Sequence, residues 1–438
     1  MGSVQRTTSW KTVVALVVAI VLASAAGCAL LWPESTDPGD VAKSSLPRET
    51  SPNVATDTVA SLVAGNSTFA FDLLHELGTD AGNLFYSPYS ISSALAMAYA
   101  GARGETESQM ADVFHFTLDQ GDLHPAFNWI DLELNGRGEI DPPYEGEGFE
   151  LSVINATWGQ RDYAFLESYL DTLAVNYGAG LRLLDFVVDP EGSREAINEW
   201  VSDQTNERIV DLLPPGSISA DVRLVLTNAV YFNAPWLKPF AAEETADGTF
   251  EPSGGAPVDV PMMHQAETFA YASWDGGQAI ELPYNGNTMS MILFVPDRGA
   301  YEGFEAAFDP AEYDEIVGSL EMRHVDLRLP KFEVAYDVSL VDPLIALGMT
   351  DPFSSAADFS GIDGTRSLFI SNVLHKGWVS VDEAGTEAAA ATAVIIELVA
   401  YPGPPVVLTI DRPFLFVIRD VPTGTILFVG RVLNPSAG

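Results

Sequence analysis

The 438-residue sequence predicts a single α+β domain. Three observations carry that prediction. The first third is dominated by apolar residues at helical spacing. The later part is dominated by alternating and doubly apolar runs broken by Gly, Pro and Asn-Gly turns, the mark of antiparallel hairpins. No internal repeat and no second linker divides the chain after residue 56, so one domain spans 57–438.

Taken in order, the chain opens with Arg6 and Lys11 and no acid. An apolar run then ends in Ala25-Ala26-Gly27-Cys28. A basic start, an apolar middle and small residues at the end predict a signal peptide over 1–27. Small residues before the sole cysteine resemble a bacterial lipobox, which implies lipidation of Cys28. Alanine stands three places before Cys28, where leucine is usual. The other reading is an uncleaved membrane span, because the apolar stretch continues through Trp32. Both place the body outside the cytoplasm, near a membrane. Residues 28–56 are rich in Pro, Ser, Thr and Asp and read as a flexible tether. The Asn-x-Ser/Thr sites at Asn66 and Asn155 read as chance matches in a prokaryotic-looking chain.

Helices are predicted over 58–77, from Pro88 to Tyr99 and from Gly104. The second is apolar on every face and therefore buried. Residues 134–148, rich in Gly, Pro and acid, read as an exposed loop. A strand follows (149–158), then a helix (165–177), a short strand (181–186) and a helix from Pro190 with Ile197, Trp200 and Val201 inward. The run 222–232 is apolar on both faces, as a central strand is. Hairpins fill 245–296, with a helix at 302–318, a strand at 322–334 and a helix at 338–347. A long strand at 368–381 precedes three closing strands at 406–410, 414–419 and 425–432.

Composition limits function. A net charge of -40, from 21 basic and 61 acidic residues, excludes nucleic acid and anionic membrane surfaces as partners. The acidity suits either a high-salt habitat or an ordinary acidic protein. The sequence holds no Gly-x-Ser-x-Gly elbow, Walker loop, Rossmann fingerprint or paired zinc histidines. The six histidines are scattered. No catalytic residue, metal site or cofactor is expected, and the chain is not read as an enzyme.

The segment after 381 reads differently. Asp382-Glu383-Ala384-Gly385-Thr386-Glu387-Ala388-Ala389-Ala390-Ala391-Thr392 leads into Ala393-Val394-Ile395-Ile396-Glu397-Leu398. At period two, Thr386, Ala388, Ala390, Thr392, Val394, Ile396 and Leu398 share one uncharged face. Glu387 and Glu397 fall on the other. The same residues also suit an alanine-rich surface helix or linker.

Several segments together resemble the serpin family of protease inhibitors. They are Asn83-Leu84-Phe85-Tyr86-Ser87-Pro88-Tyr89-Ser90-Ile91, Gly101-Ala102-Arg103-Gly104-Glu105-Thr106, Ile197-Asn198-Glu199-Trp200-Val201, Leu226-Thr227-Asn228-Ala229-Val230-Tyr231-Phe232, Leu329-Pro330-Lys331-Phe332, the stretch 382–392, Asp411-Arg412-Pro413-Phe414 and Gly430-Arg431-Val432-Leu433-Asn434-Pro435. The resemblance implies the serpin fold: a large, mostly antiparallel central sheet, two smaller sheets and eight to nine helices. It makes about 383–405 a reactive-centre loop. This loop would be exposed before cleavage by a serine protease and would enter the central sheet as a strand afterwards, trapping the acyl-enzyme.

Glu383, Gly385, Thr386, Glu387, Ala388, Ala389, Ala390 and Ala391 then form the hinge, with Thr386 the first side chain buried on insertion. Family spacing puts the scissile bond at Val399–Ala400, implying elastase-like or subtilisin-like targets. A shifted register would use Leu398 or Tyr401. Ser87, Ser90, Asn228 and His375 match the polar shutter under the sheet. Trp200, Lys331 and Glu383 match the breach where the loop enters. Expected partners are target proteases and, through Cys28, a membrane; the protein is expected to be monomeric. Heparin-type cofactors are not expected of so acidic a chain. Asn206-Glu207-Arg208-Ile209 departs from the family's usual Gly-Lys-Ile. The alternative is a serpin-fold protein that binds or chaperones without inhibiting.

Overall fold

The computed structural model describes residues 40–78, 81–137, 150–205, 207–386 and 404–437. The chain divides into Met1–Pro38, wholly outside these residues, and Gly39–Gly438. The assignments for Cys28, Glu387, Ala388, Ala389, Ala390, Ala391, Val399 and Ala400 lie outside the described residues.

The described chain begins with a two-residue strand, β1 (Val41–Ala42), and reaches the first helix, α1 (Thr56–Leu77). The stretch 40–55 is not the free tether expected of it. β1 pairs with the edge of the large sheet, and Arg48 and Glu49 bind two helices. Polar composition hid this, because the contacts are made by backbone, by one serine and by one arginine.

After β2 (Leu84–Tyr86) comes α2 (Pro88–Tyr99), started by Pro88 and by Ser87, whose hydroxyl accepts from the Ser90 amide at 3.1 Å. All twelve residues of α2 are buried, as its unbroken apolar pattern requires. α3 (Gly104–Val113) and α4 (Gln120–Gly136) follow. The sequence reading assigns no helix to α4. Pro125 interrupts its pattern: as the sixth residue it lies past the amides that need no intrahelical partner and removes one bond, and the helix persists on its buried face of Leu123, Phe127, Ile130 and Leu134.

Next come β3 (Glu150–Gln160), α5 (Glu167–Tyr177), β4 (Leu181–Leu184), α6 (Pro190–Gln204) and β5 (Leu224–Pro235). The hairpin region gives β6 (Ala246–Phe250), β7 (Val258–Trp274), β8 (Gly277–Pro283) and β9 (Met289–Pro296). The single helix expected at 302–318 is two, α7 (Tyr301–Ala307) and α8 (Pro310–Gly318). Asp309 caps the second by accepting from the Glu312 amide. The strand expected at 322–334 is also two. β10 (Glu321–Pro330) and β11 (Phe332–Ser339) belong to different sheets, and the chain crosses between them at Lys331.

The remainder is α9 (Val341–Ala346), α10 (Ser360–Asp363), β12 (Val373–Val381), β13 (Gly385–Thr386), β14 (Val406–Thr409), β15 (Phe414–Asp420) and β16 (Ile426–Val432). The long strand before the hinge thus starts at Val373, not at 368. The described residues hold ten α-helices; the divided helix raises the count above the eight or nine expected.

The large sheet runs β1-β4-β3-β5-β13-β12-β11, with β5 also pairing β12. The strands expected in two smaller sheets are hydrogen-bonded into one nine-stranded sheet, an eight-strand path β14-β10-β7-β8-β9-β15-β16-β2 with β6 beside it, because the 17-residue β7 pairs with β6, β8 and β10. β5 is buried on both faces. Leu226, Val230 and Phe232 join the main core with α2, while Val225 joins Trp158, Ile197 and Val201 under α6. That explains its doubly apolar sequence.

Candidate functional site

The site lies where β5 and β12 separate. These parallel strands pair from Val373↔Leu226 to Gly377↔Val230. Beyond Gly377 they part, and β13 sits between them, antiparallel to both. Thr386 faces Val381 on one side and Ala234 on the other. The chain reaches this slot through a tight turn. Asp382 Oδ1 accepts from the Ala384 amide at 2.9 Å, and the Asp382 amide donates to Gly385 O at 3.0 Å. A Cβ on Gly385 would come 2.7 Å from Pro235 Cα, so the close pass along β5 needs glycine.

Thr386 is completely buried, and its hydroxyl lies 2.7 Å from Tyr284 Oη. Burial pushes the Tyr284 phenol pKa upward, against the effect of the threonine. Tyr284 stacks on Trp236 with ring centroids 4.6 Å apart and planes 8° off parallel. Trp236 holds the hinge from below. Its amide donates to Ala384 O at 2.9 Å and its indole to Asp382 O at 3.0 Å. The expectation that Thr386 becomes buried only after cleavage is therefore corrected. It is already seated, because Gly385 lets the backbone enter and Tyr284 satisfies its hydroxyl.

Thr386 fixes a parity. In β12 the odd-numbered residues Val373, His375, Val379 and Val381 are buried, and Thr386 is opposite Val381. A strand continuing that register buries even positions and exposes odd ones. This is the face that the period-two pattern selects, with Glu387 outside.

Lys331 and Glu383 meet as expected, Nζ to Oε2 at 2.6 Å, and Thr245 Oγ1 donates to Glu383 Oε1 at 2.8 Å. Desolvation raises the Glu383 carboxyl pKa; the hydrogen bonds from Lys331, the backbone and Thr245 outweigh it and hold it below the ordinary carboxylate value. Trp200 does not join them. It packs in α6 against Trp158 (5.3 Å) and under Arg182 (4.5 Å). The tryptophan at the entry is Trp236, which ends the apolar run of β5 and could have been found as the aromatic closing that strand. Because Lys331 is about one-third exposed, Lys331→Ala is expected to cost only about 0–1 kcal/mol. Urea unfolding checks it.

The four shutter residues do converge. The Ser87 amide donates to His375 Nε2 at 3.2 Å, so Nδ1 carries the proton and donates to Asn228 Oδ1 at 2.5 Å. Asn228 Nδ2 donates to Ser90 Oγ and, at 2.6 Å, to Asn155 Oδ1. Asn155 also donates to Ser90 O at 3.3 Å. It is a member of the cluster that the sequence reading passed over as a chance glycosylation site. His375 and Asn228 are Cα partners across the β5–β12 ladder. The cluster therefore spans the pair of strands that must separate if the sheet is to take another strand.

Burial pushes the His375 pKa down to about 3 and that of His124, bound to Tyr177 Oη at 2.8 Å, to about 4. A histidine in the unfolded chain titrates near ~6.5. Between these values the unfolded chain binds a proton that the native state refuses. Stability then falls as pH drops below about 6.5, by up to about 1.4 kcal/mol per pH unit for each histidine. Denaturation midpoints at pH 7 and pH 5 are expected to show this fall, with a shallower one in His375→Gln.

Residues 64–435 match the family model described as Serpin (serine protease inhibitor). A serpin-like protein of Thermococcus kodakarensis is 41% identical over 374 residues, covering 85% of this chain and 85% of that one. A leukocyte elastase inhibitor of Bos taurus is 38% identical over 385 residues, covering 85% of this chain and 99% of its own. Uncleaved ovalbumin superposes with a TM-score of 0.76 at 31% identity, covering 86% of this chain and 100% of its own. Human thyroxine-binding globulin does so with 0.75 at 29%, covering 86% and 99%. With a seated hinge, a shutter across the parting strands and this breadth of similarity, the chain belongs to the serpin family.

Proposed function

We propose that this serpin is an inhibitor that traps serine proteases as an acyl-enzyme. The protease serine attacks the Val399 carbonyl, forming an ester and releasing the amine of Ala400. Residues 387–399 then continue β13 into the gap between β5 and β12, carrying the protease with them. One observation supports this most: Thr386 already sits in the slot, opposite Val381 and Ala234, and a strand continuing from it in that register would turn the alanines and Thr392 inward and Glu387 outward. Small inward residues cost little overpacking between parting strands, and an outward carboxylate stays hydrated. Valine at the cleaved bond suits a small aliphatic pocket, of the elastase or subtilisin kind. The leukocyte elastase inhibitors among the relatives accord with that choice. Mixing the soluble domain with pancreatic elastase or subtilisin is expected to give a complex that survives SDS and a released peptide beginning at Ala400. Cleavage without a complex, by every protease tried, would falsify the inhibitory reading.

We also propose that a lipid on Cys28 holds the monomeric domain at the outer face of the cell envelope. Mass spectrometry of the mature N-terminus tests this. A diacylated Cys28 is expected, and an intact Met1 contradicts it.

A further inference from the structure

We propose that residues 40–52 are a built-in strap that restrains opening of the large sheet. The proposal rests on the inhibitory reading, since it concerns the rate at which the sheet admits a strand.

The strap is anchored at both ends. At the outer edge of the sheet, β1 pairs antiparallel with β4, Val41↔Arg182 and Ala42↔Leu181, and Asp40 O accepts from the Leu183 amide at 2.7 Å. Ser44 Oγ then donates to Asp171 on α5. Arg48 reaches α4, donating to Asn128 Oδ1 at 2.8 Å and pairing with Asp131 at 2.6 Å. The Glu49 amide donates to Val175 O of α5 at 2.9 Å, and Asn128 Nδ2 returns a bond to Glu49 O at 2.7 Å. The body is cut to receive it. A Cβ on Gly178 would lie 2.9 Å from Arg48 Cδ, and one on Gly180 would lie 2.9 Å from Ala42 O.

This path ties the sheet's outer strand to the helices beneath it. Admitting one strand between β5 and β12 moves β5, β3 and β4 outward by about 4.8 Å. Hydrogen bonds of 2.6–2.9 Å between the strap and α4 or α5 do not stretch that far, so either the β1–β4 ladder or the Arg48 cluster must release first. The link also reaches the shutter. Arg48 and Asp131 line a cavity of about 230 Å³ whose wall includes Ser93 of α2 and Asn155 of β3. Asn155 is the β3 residue bound to Asn228 and Ser90. Strap and shutter thus both contribute to the wall of one space, which a shift of β3 would reshape.

Two variants of the full chain release the strap from different sides. Arg48→Ala removes its ties to α4. Gly180→Val, at a glycine without positive φ, pushes β1 away from β4. The readout is the rate at which a synthetic peptide copying residues 387–399 anneals into the uncleaved protein, followed by native electrophoresis. The control is Val317→Ala in α8, far from the strap in sequence, which lowers general stability alone. Both strap variants are expected to anneal peptide about tenfold faster than the parent, as loss of a charge-assisted hydrogen-bond cluster implies, with the control unchanged. Equal rates in the parent and both strap variants overturn the proposal alone. Acceleration in the control as large as in the strap variants also overturns it. No annealing in any protein overturns the proposal together with the inhibitory reading.

Discussion

Replacing Thr386 by arginine is expected to turn the inhibitor into a substrate. Thr386 has no exposed surface and spends its hydroxyl on Tyr284. Its hydroxyl meets the neutral phenol of Tyr284, which is stacked on Trp236, so that contact offers an arginine no countercharge. An arginine there must either bury an unpaired charge, at a cost of several kcal/mol, or withdraw β13 from the slot. The second is the expected outcome, since among the described residues β13 is held between its neighbours through Gly385 and Thr386 alone. Insertion then starts from an unseated hinge. Each ~1.4 kcal/mol added to its barrier slows it about tenfold, while deacylation by the protease is unchanged. The fraction of encounters ending in an SDS-stable complex should fall more than about tenfold, and cleaved chain should accumulate in its place. Thr386→Val should do less. It keeps the shape but leaves the buried Tyr284 hydroxyl without its partner, a loss of about 1–3 kcal/mol. Quantifying complex and cleaved chain on denaturing gels separates the two variants; unchanged inhibition by the arginine variant removes the role given to the hinge.

Asn228→Ala is expected to destabilise the uncleaved protein far more than the cleaved one. In the uncleaved sheet Asn228 bonds to His375, Ser90 and Asn155 at once. Removing it strands the buried His375 Nδ1–H and leaves Ser90 Oγ and Asn155 Oδ1 with only a long 3.4 Å bond to each other, so a total of about 2–4 kcal/mol is a fair expectation. If a strand enters between β5 and β12, Asn228 and His375 move from adjacent strands to strands two spacings apart, about 9.6 Å. Their mutual bond is then gone in the parent as well. Counting down from Thr386↔Val381, the residue arriving beside His375 is Thr392, whose hydroxyl can serve either neighbour. The variant therefore has less to lose after cleavage. Urea midpoints of the intact and loop-cleaved forms measure this. An equal loss in both would mean that the cluster is ordinary core polarity and not a latch.

The sequence pattern revealed some of this and hid the rest for identifiable reasons. The doubly apolar run of β5, the buried α2 and the alternation after Gly385 were legible because periodicity reports which faces are covered. Residues that meet across the sheet were not. Trp200 and Trp236 are both aromatic residues beside apolar runs, and only the structure shows that Trp236 holds Ala384 and Asp382 while Trp200, on α6, packs on Trp158 and Arg182. Asn155 looks like any asparagine before x-Thr until β3 is laid against β5, where it faces Asn228. The parting of β10 and β11 at Lys331 did leave a sign that the reading passed over: the apolar positions are odd before it (Val325, Leu327, Leu329) and even after it (Phe332, Val334), a change of parity that one continuous strand does not make. The strap was read as linker because its hold on the body is made by backbone amides, one serine and one arginine, none of which leaves a hydrophobic period. Resemblance to a family supplied the hinge and shutter. It could not supply that the hinge is already seated, which depends on the Tyr284 hydroxyl and on the room left by Gly385.

The central claim is that the loop continues β13 between β5 and β12 in the register that Thr386 sets. The structure of the loop-cleaved protein tests it most directly. The account predicts a new strand antiparallel to both neighbours, with Ala388, Ala390 and Thr392 facing the core, Glu387 facing solvent and Thr392 level with His375 and Asn228. A cleaved protein in which β5 and β12 still pair from Val373↔Leu226 to Gly377↔Val230, or in which the odd-numbered residues face inward, would contradict it.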